Sequence, residues 1–307
     1  MYHGIINVYK EAGYTSHDVV AKLRGICKQK KIGHTGTLDP DAVGVLPVCL
    51  GNGTKLCDML TDRQKEYVAV FRLGITTDTQ DGSGKILEKK EVKVSVDEVK
   101  KVILSFQGNS LQIPPMYSAL KVNGKKLYEL ARQGKEVVRE ARPITVYAIE
   151  ILEESHPEYT IRVECSKGTY IRTLCHDIGQ ALGCGAVMTK LTRSRVGEFR
   201  IEEAHRLEDI QKLAEEGRLA RIVVPVEKMF ETLPKLKVKK EWDNALKNGN
   251  QMKKSEFMEI AGNTDRMPEP ADGEEFRVYS YEDVFFGIYQ YEQKRKLFCP
   301  VKLFITT

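Results

Sequence analysis

A chain of 307 residues, 41% of them hydrophobic, can bury a sizeable core and exceeds one typical domain, which excludes a disordered protein and suggests a large domain with a smaller companion. Its formal net charge of +5 is modest for this length and permits a nucleic-acid partner without demanding one. No apolar run approaches membrane-spanning length, no basic segment with an apolar run opens the chain, and the seven scattered cysteines form no CxxC pair. The expectation is a soluble cytoplasmic protein without a zinc knuckle.

Residues 4–9 read as a short strand and 10–13 as a turn. Ser16 is the expected N-cap of a helix with Asp18 in its first turn and Val19, Val20, Leu23 and Ile26 on its apolar stripe. Lys22, Arg24, Lys28, Lys30 and Lys31 make its surroundings basic, which suits phosphate contact. Residues 33–47 follow, beginning Gly-His-Thr-Gly-Thr-Leu-Asp-Pro. The glycines and prolines argue against a helix or an ordinary strand. Pro40 restricts Asp39 to extended or turn geometry, so a carboxylate sits on a bent loop with His34 five positions before it. Taken alone, such an Asp-Pro is more often a turn-capping aspartate than a catalytic one.

Residues 45–50 are apolar, 54–60 suit a short helix, and 66–73 alternate as a strand with Tyr67 in it. Residues 76–84 read as a surface loop whose acids lack EF-hand spacing, so no metal is expected there. Ser95 opens an amphipathic helix carrying Val99, Val102, Ile103 and Phe106, which Gly108 is expected to end. Residues 109–143 are irregular and basic. After Pro114-Pro115, Tyr117 and Tyr128 are interleaved with Lys121, Lys125, Lys126, Arg132, Lys135, Arg139 and Arg142, as in surfaces that track a backbone and stack bases. Residues 144–152 and 159–165 read as paired strands. Residues 169–182 turn from strand, with Tyr170 on it, to helix, and residues 205–223 are helical. Cys175-His176 is poor spacing for two metal ligands. Strands mixed with helices in this way indicate an α+β domain. Beyond Pro225 come a basic run (Lys235, Lys237, Lys239, Lys240), a short helix at 242–246, a Pro/Gly/acid loop at 262–275, and strands at 278–281, 284–291 and 297–304.

Five segments in order resemble the motifs of the TruB family of tRNA pseudouridine synthases. They are the Asp39 loop, Lys65-Glu66-Tyr67, the run from Pro114 to Tyr128, Lys167 to Leu174, and Leu191 to Gly197. The resemblance spans about residues 3–230. It implies a mixed, mainly antiparallel sheet with flanking helices at 1–228, in which residues 109–143 embrace an RNA hairpin. Residues 229–307 resemble, more weakly, a small β-rich PUA-like RNA-binding domain. The implied reaction is isomerisation of uridine-55 in the tRNA T-arm to pseudouridine, without cofactor or metal, by a monomer that needs no protein partner. That chemistry requires a carboxylate, a stacking ring and exclusion of water. Asp39, with an ordinary pKa near ~3.9, is expected ionised. It can attack the sugar, attack the base or remove a proton.

The resemblance assigns catalysis to Asp39, Arg172 and Tyr67, with Arg172 orienting the aspartate. Substrate contact falls to His34, Tyr67, Tyr170 and Leu191. RNA-backbone contact falls to Lys10, Lys28, Lys30, Lys31, Lys121, Lys125, Lys126 and Arg132. The same scaffold can serve as a non-catalytic RNA-binding module, or as a synthase for another RNA. The intact Asp39, Tyr67 and Arg172 favour an enzyme, and the absence of Lys-rich tails favours the stand-alone bacterial type.

Overall fold

The computed structural model describes residues 1–122, 124–258 and 269–304, so residues 262–268 of the loop expected at 262–275 lie outside the described residues. Strand β1 (Gly4–Lys10) leads through α1 (Ser16–Ile26) to β2 (Ile32–His34) and β3 (Val43–Leu50). After a 3₁₀ turn come α2 (Cys57–Thr61), β4 (Lys65–Leu73) and the hairpin of β5 (Ile75–Thr77) and β6 (Ile86–Lys89). Next are α3 (Val96–Ser105), β7 (Gly108–Gln112), the short β8 (Lys121–Val122) and β9 (Lys125–Lys126), and α4 (Leu127–Arg132). The long hairpin of β10 (Arg142–Ser155) and β11 (Glu158–Cys165) precedes α5 (Ile171–Ala181), β12 (Ala186–Val196), β13 (Phe199–Arg200) and α6 (Leu207–Glu215). The last part holds β14 (Lys235–Lys237), α7 (Asp243–Lys247), β15 (Met252–Lys253), β16 (Glu275–Tyr279), β17 (Phe285–Glu292) and β18 (Leu297–Leu303).

Among the described residues, nine strands form the large sheet, in the order β1-β3-β12-β4-β11-β10-β7, with β2 added to β3 and β13 to β12; β14 to β18 form a separate sheet of five. The large sheet is antiparallel except where β12 meets β3, at Thr192↔Val43 and Arg193↔Gly44. That crossing brings the start of β3, and the loop before it, against β12 and β4. The alternation of β4 puts Tyr67, Ala69, Phe71 and Leu73 in a core roofed by Val99 and Ile103 of α3 and Leu174 and Ile178 of α5. At the other end, α1 and α6 cover β1 and β3 with Val19, Leu23, Leu207 and Ile210. The two sheets share a core: Ile288 and Phe304 of the C-terminal part pack with Ile5, Val45 and Phe199 of the large sheet.

Several boundaries differ from the sequence reading. Of the loop expected at 33–47, residues 33–34 belong to β2 and 43–47 to β3. Pro47 is tolerated because β12 reaches β3 only at Val43 and Gly44, and β2 only from Val48 onward, which leaves a gap in the ladder beside it. The N-cap of α1 is Thr15, not Ser16. Thr15 Oγ1 accepts the Asp18 N–H at 3.1 Å and its own N–H donates to Asp18 Oδ2 at 2.8 Å, a reciprocal capping box. Ser16 Oγ is thereby free to accept the Leu38 N–H at 2.9 Å. Tyr170 is on no strand; it caps α5. Phe106 caps α3, and Gly108 instead opens β7.

Gly44 makes the strand crossing possible. Its φ is +109°, and a Cβ there would lie 2.2 Å from the Arg193 carbonyl oxygen. Gly44→Ala is expected to lower unfolding free energy by more than about 2 kcal/mol, from left-handed strain plus overpacking. Urea denaturation measures it, and a loss below roughly 0.5 kcal/mol, the range of neutral surface changes, would mean that β3 and β12 part there freely.

Candidate active site

Asp39 projects from the turn between β2 and β3, and the turn is held from below. Lys10, at the end of β1, is wholly buried. Its ammonium donates to the carbonyls of Glu11 (3.0 Å), Pro40 (2.9 Å) and Ala42 (2.6 Å). Burial pushes its pKa down to about 8 against the pull of Asp39 and Asp41. The expectation that Lys10 meets RNA phosphate is therefore corrected: its charge is spent on main-chain carbonyls inside the protein. Ser16 grips the same turn through Leu38.

Arg172 is the second residue of α5, 6% exposed at its side chain, where the helix start aims it at the loop. Its Nη1 stands 3.5 Å from Asp39 Oδ2 and 3.4 Å from Asp81 Oδ2. Its Nη2 donates to the Tyr117 carbonyl. Tyr170, immediately before α5, is pinned by Gln112: the Tyr170 N–H donates to Oε1 at 2.8 Å and Nε2 donates to the Tyr170 carbonyl at 3.1 Å. Asp39 keeps 39% of its side chain exposed, so a substrate can reach it. Its pKa is raised, first by desolvation; Arg172 opposes this and Asp81 adds to it. Tyr67 and Leu191 lie in one apolar cluster with Leu38 and Ala42 of the loop, and burial raises the Tyr67 pKa. Tyr67 and Leu191 are both buried, so the loop that carries Asp39 packs on an aromatic ring and a leucine.

His34 accepts the Gly36 N–H at Nδ1 (3.3 Å), and its ring meets His17 edge-on at 5.2 Å. Burial, then His17 and Arg193, push its pKa down to about 4, which keeps it neutral and fit for stacking. Lys126 Nζ and the Arg132 guanidinium each lie 5.4 Å from the Tyr128 ring centre. Lys121, Lys125 and Arg132 are exposed. Lys28, Lys30 and Lys31 are exposed too, but beyond the far end of α1, about 15 Å along the helix from the Ser16 contact at 1.5 Å per residue.

Residues 24–171 match the N-terminal domain model of the TruB family pseudouridylate synthases, and residues 172–231 match the C-terminal domain model of tRNA pseudouridylate synthase B. The tRNA pseudouridine synthase B of Lachnoclostridium phytofermentans is 52% identical over 311 residues, covering 99% of this chain and 100% of that one. The chain belongs to the TruB family. The protein of the same name from Clostridium acetobutylicum is 45% identical over 285 residues, covering 93% and 94%. A chain of a solved Cbf5-Nop10-Gar1 complex matches with a TM-score of 0.70 at 30% identity, covering 99% of this chain and 85% of that one. A chain of an H/ACA RNP bound to a substrate RNA containing 2′-deoxyuridine matches at 0.70 and 28%, covering 99% and 86%. This TruB family member is thus a pseudouridylate synthase, an isomerase.

Asp81 escaped the sequence reading, which placed residues 76–84 on the surface. No local pattern ties it to Arg172, 91 positions on. Its Oδ1 accepts from Thr79 Oγ1 (2.7 Å) and the Ser83 N–H (3.0 Å), fixing the other oxygen toward Arg172. The Asp39 pKa is raised in the folded protein, so activity that needs the carboxylate is lost as pH falls through that raised value. Asp81→Asn removes one raising charge and leaves Arg172 to Asp39 alone. The acid limb of the rate is expected to move to lower pH, by single-turnover measurement across pH; an unmoved limb would show that Asp39 does not feel Asp81.

Proposed function

We propose that the chain isomerises uridine-55 in the T-loop of tRNA to pseudouridine, with Asp39 as the essential carboxylate. The reading is carried by one observation: the partly exposed Asp39 lies 3.5 Å from the buried Arg172, beside the Tyr67–Leu191 wall. A uridine in a folded loop must leave its stack to meet that wall. Tyr67 and Leu191 then take the uracil face, while Tyr170 and neutral His34 border the displaced nucleotide. Arg172, a planar fork, holds Asp39 ionised and aimed. Asp39 supplies the nucleophile or base while the glycosidic bond breaks and the uracil rejoins through carbon. In this reading the hydroxyl of Tyr67 relays a proton.

The exposed Lys121, Lys125 and Arg132 and the half-buried Lys126, near Tyr128, suit the backbone and bases of the T-arm hairpin. Lys28, Lys30 and Lys31 extend the same charge. Residues 1–228 form the catalytic domain, and 229–307 a PUA-like RNA-binding module. The protein works as a cytoplasmic monomer, without cofactor, metal or protein partner. A second reading, a synthase for another RNA, draws on the likeness to a chain bound with a substrate RNA in an H/ACA RNP.

Incubation with unmodified tRNA, followed by mapping of pseudouridine, separates the readings. Modification at position 55 supports the first; modification confined to other RNAs favours the second. Asp39→Asn is expected to abolish turnover while tRNA affinity stays within about tenfold, roughly 1.4 kcal/mol. Turnover near the wild-type rate would remove Asp39 from its role.

The C-terminal module carries Lys237 and Lys240 near the Tyr281 ring, at 5.7 and 6.0 Å. Because its sheet shares a core with the large one, its charges are better tested by substitution than by removal. Lys237→Gln with Lys240→Gln is expected to weaken tRNA binding and reduce its salt slope by about 0.9 per lost phosphate contact, by analogy with B-DNA. The single-turnover rate at saturating tRNA is expected to hold. Unchanged affinity and slope would make the module a structural appendage.

A further inference from the structure

We propose that Arg193 is a positioning residue for the isomerisation, one whose charged guanidinium fork locks the Asp39 loop and sets Tyr67 against it. The inference rests on the function proposed above. Arg193 heads the fully buried side chains by size, with 1% exposure. Its Nε donates to the Val45 carbonyl at 2.7 Å, Nη1 to Thr37 at 3.4 Å and Nη2 to Gly36 at 3.3 Å. Two of these carbonyls precede Asp39 and one follows it, so one planar fork spans both ends of the loop. Arg172 and Arg195 face carboxylates, whereas Arg193 pairs with none among the described residues.

A buried cation without a counter-ion is a poor way to stabilise a core. A well-packed apolar residue of similar volume is often as good or better. A charge held here therefore serves something other than packing. Directly across the β12–β4 ladder, the register partner of Arg193 is Tyr67. On the other side, its partner is Gly44 of β3, whose missing Cβ lets the two backbones close up. Arg193 thus joins the loop that carries the carboxylate to the strand that carries the stacking ring. Its charge also draws the Tyr67 hydroxyl toward ionisation, against the effect of burial. An apolar side chain of similar size keeps neither the carbonyl bonds nor that bias.

The test uses full-length Arg193→Ala with unmodified tRNA under single-turnover conditions. The rate at saturating tRNA is expected to fall about 100-fold, the usual effect of a misplaced catalytic group, with tRNA affinity unchanged. Millimolar guanidinium is expected to restore rate; urea, a neutral molecule of similar shape, is not. Equal rescue by urea, rescue by neither, or a wild-type rate in the variant would each overturn the proposal. If Arg193→Ala does not fold, Arg193→Lys carries the test, since it keeps the charge and loses the fork. It is expected to bind tRNA normally and react at least about tenfold slower, about 1.4 kcal/mol in barrier; a wild-type rate overturns the proposal. The wild-type protein in the same assay tests the function separately: if it forms no pseudouridine, that reading fails and takes this inference with it, whereas an active wild type isolates the role of Arg193.

Discussion

The guanidinium of Arg172 faces two carboxylates, and the geometry of the site depends on how they share it. Asp39 comes from a turn near the N-terminus, Asp81 from the hairpin after β4, and the Tyr117 carbonyl from the basic segment beyond β7. These segments share no element; one fork on the first turn of α5 ties them. Inside a partly desolvated site such bonds are stronger than in water, and an unmatched charge costs more. Asp81 gives Arg172 a second carboxylate, while Asp39 remains partly exposed.

The cations of this chain fall into two populations that composition does not separate. Lys10, Lys65 and Arg193 are buried and bonded to main-chain carbonyls; Lys10 and Arg193 brace the Asp39 loop, and Lys65 braces the turn after α2 through Thr61 and Arg63. Lys28, Lys30, Lys31, Lys121 and Lys125 stand in solvent and act at longer range. A lysine at the end of a strand gives no local sign of which population it joins. That depends on what the topology folds over it, and Lys10 lies beneath a turn 30 residues away.

Much of the fold was legible because its signals are local. The alternation of β4, the pairing of β10 with β11, the stripe of α3 and the switch to a β-rich end all stand in the sequence. Asp39, Tyr67 and Arg172 came from motif order, and the structure brings Asp39 and Arg172 together. What stayed hidden is non-local. Asp81 is defined by a partner far along the chain. Ser16 looked like a cap until Thr15 took that role one residue earlier. The shared core of the two sheets requires Ile5 and Phe304 to meet, and no window of sequence contains both.

The strand order also governs how the chain is made. β12 lies between β3 and β4 although it follows them by more than 100 residues, and Ile5 of β1 is bridged to Val224. As the polypeptide emerges from the ribosome, β3 finds β1 and β2 early, but the edge of β4 that β12 will cover stays bare until residues 186–196 arrive. Unpaired edges of this kind invite association with other chains. The nascent protein thus passes through a long interval in which the strand that joins the two halves of its sheet is still unsynthesised.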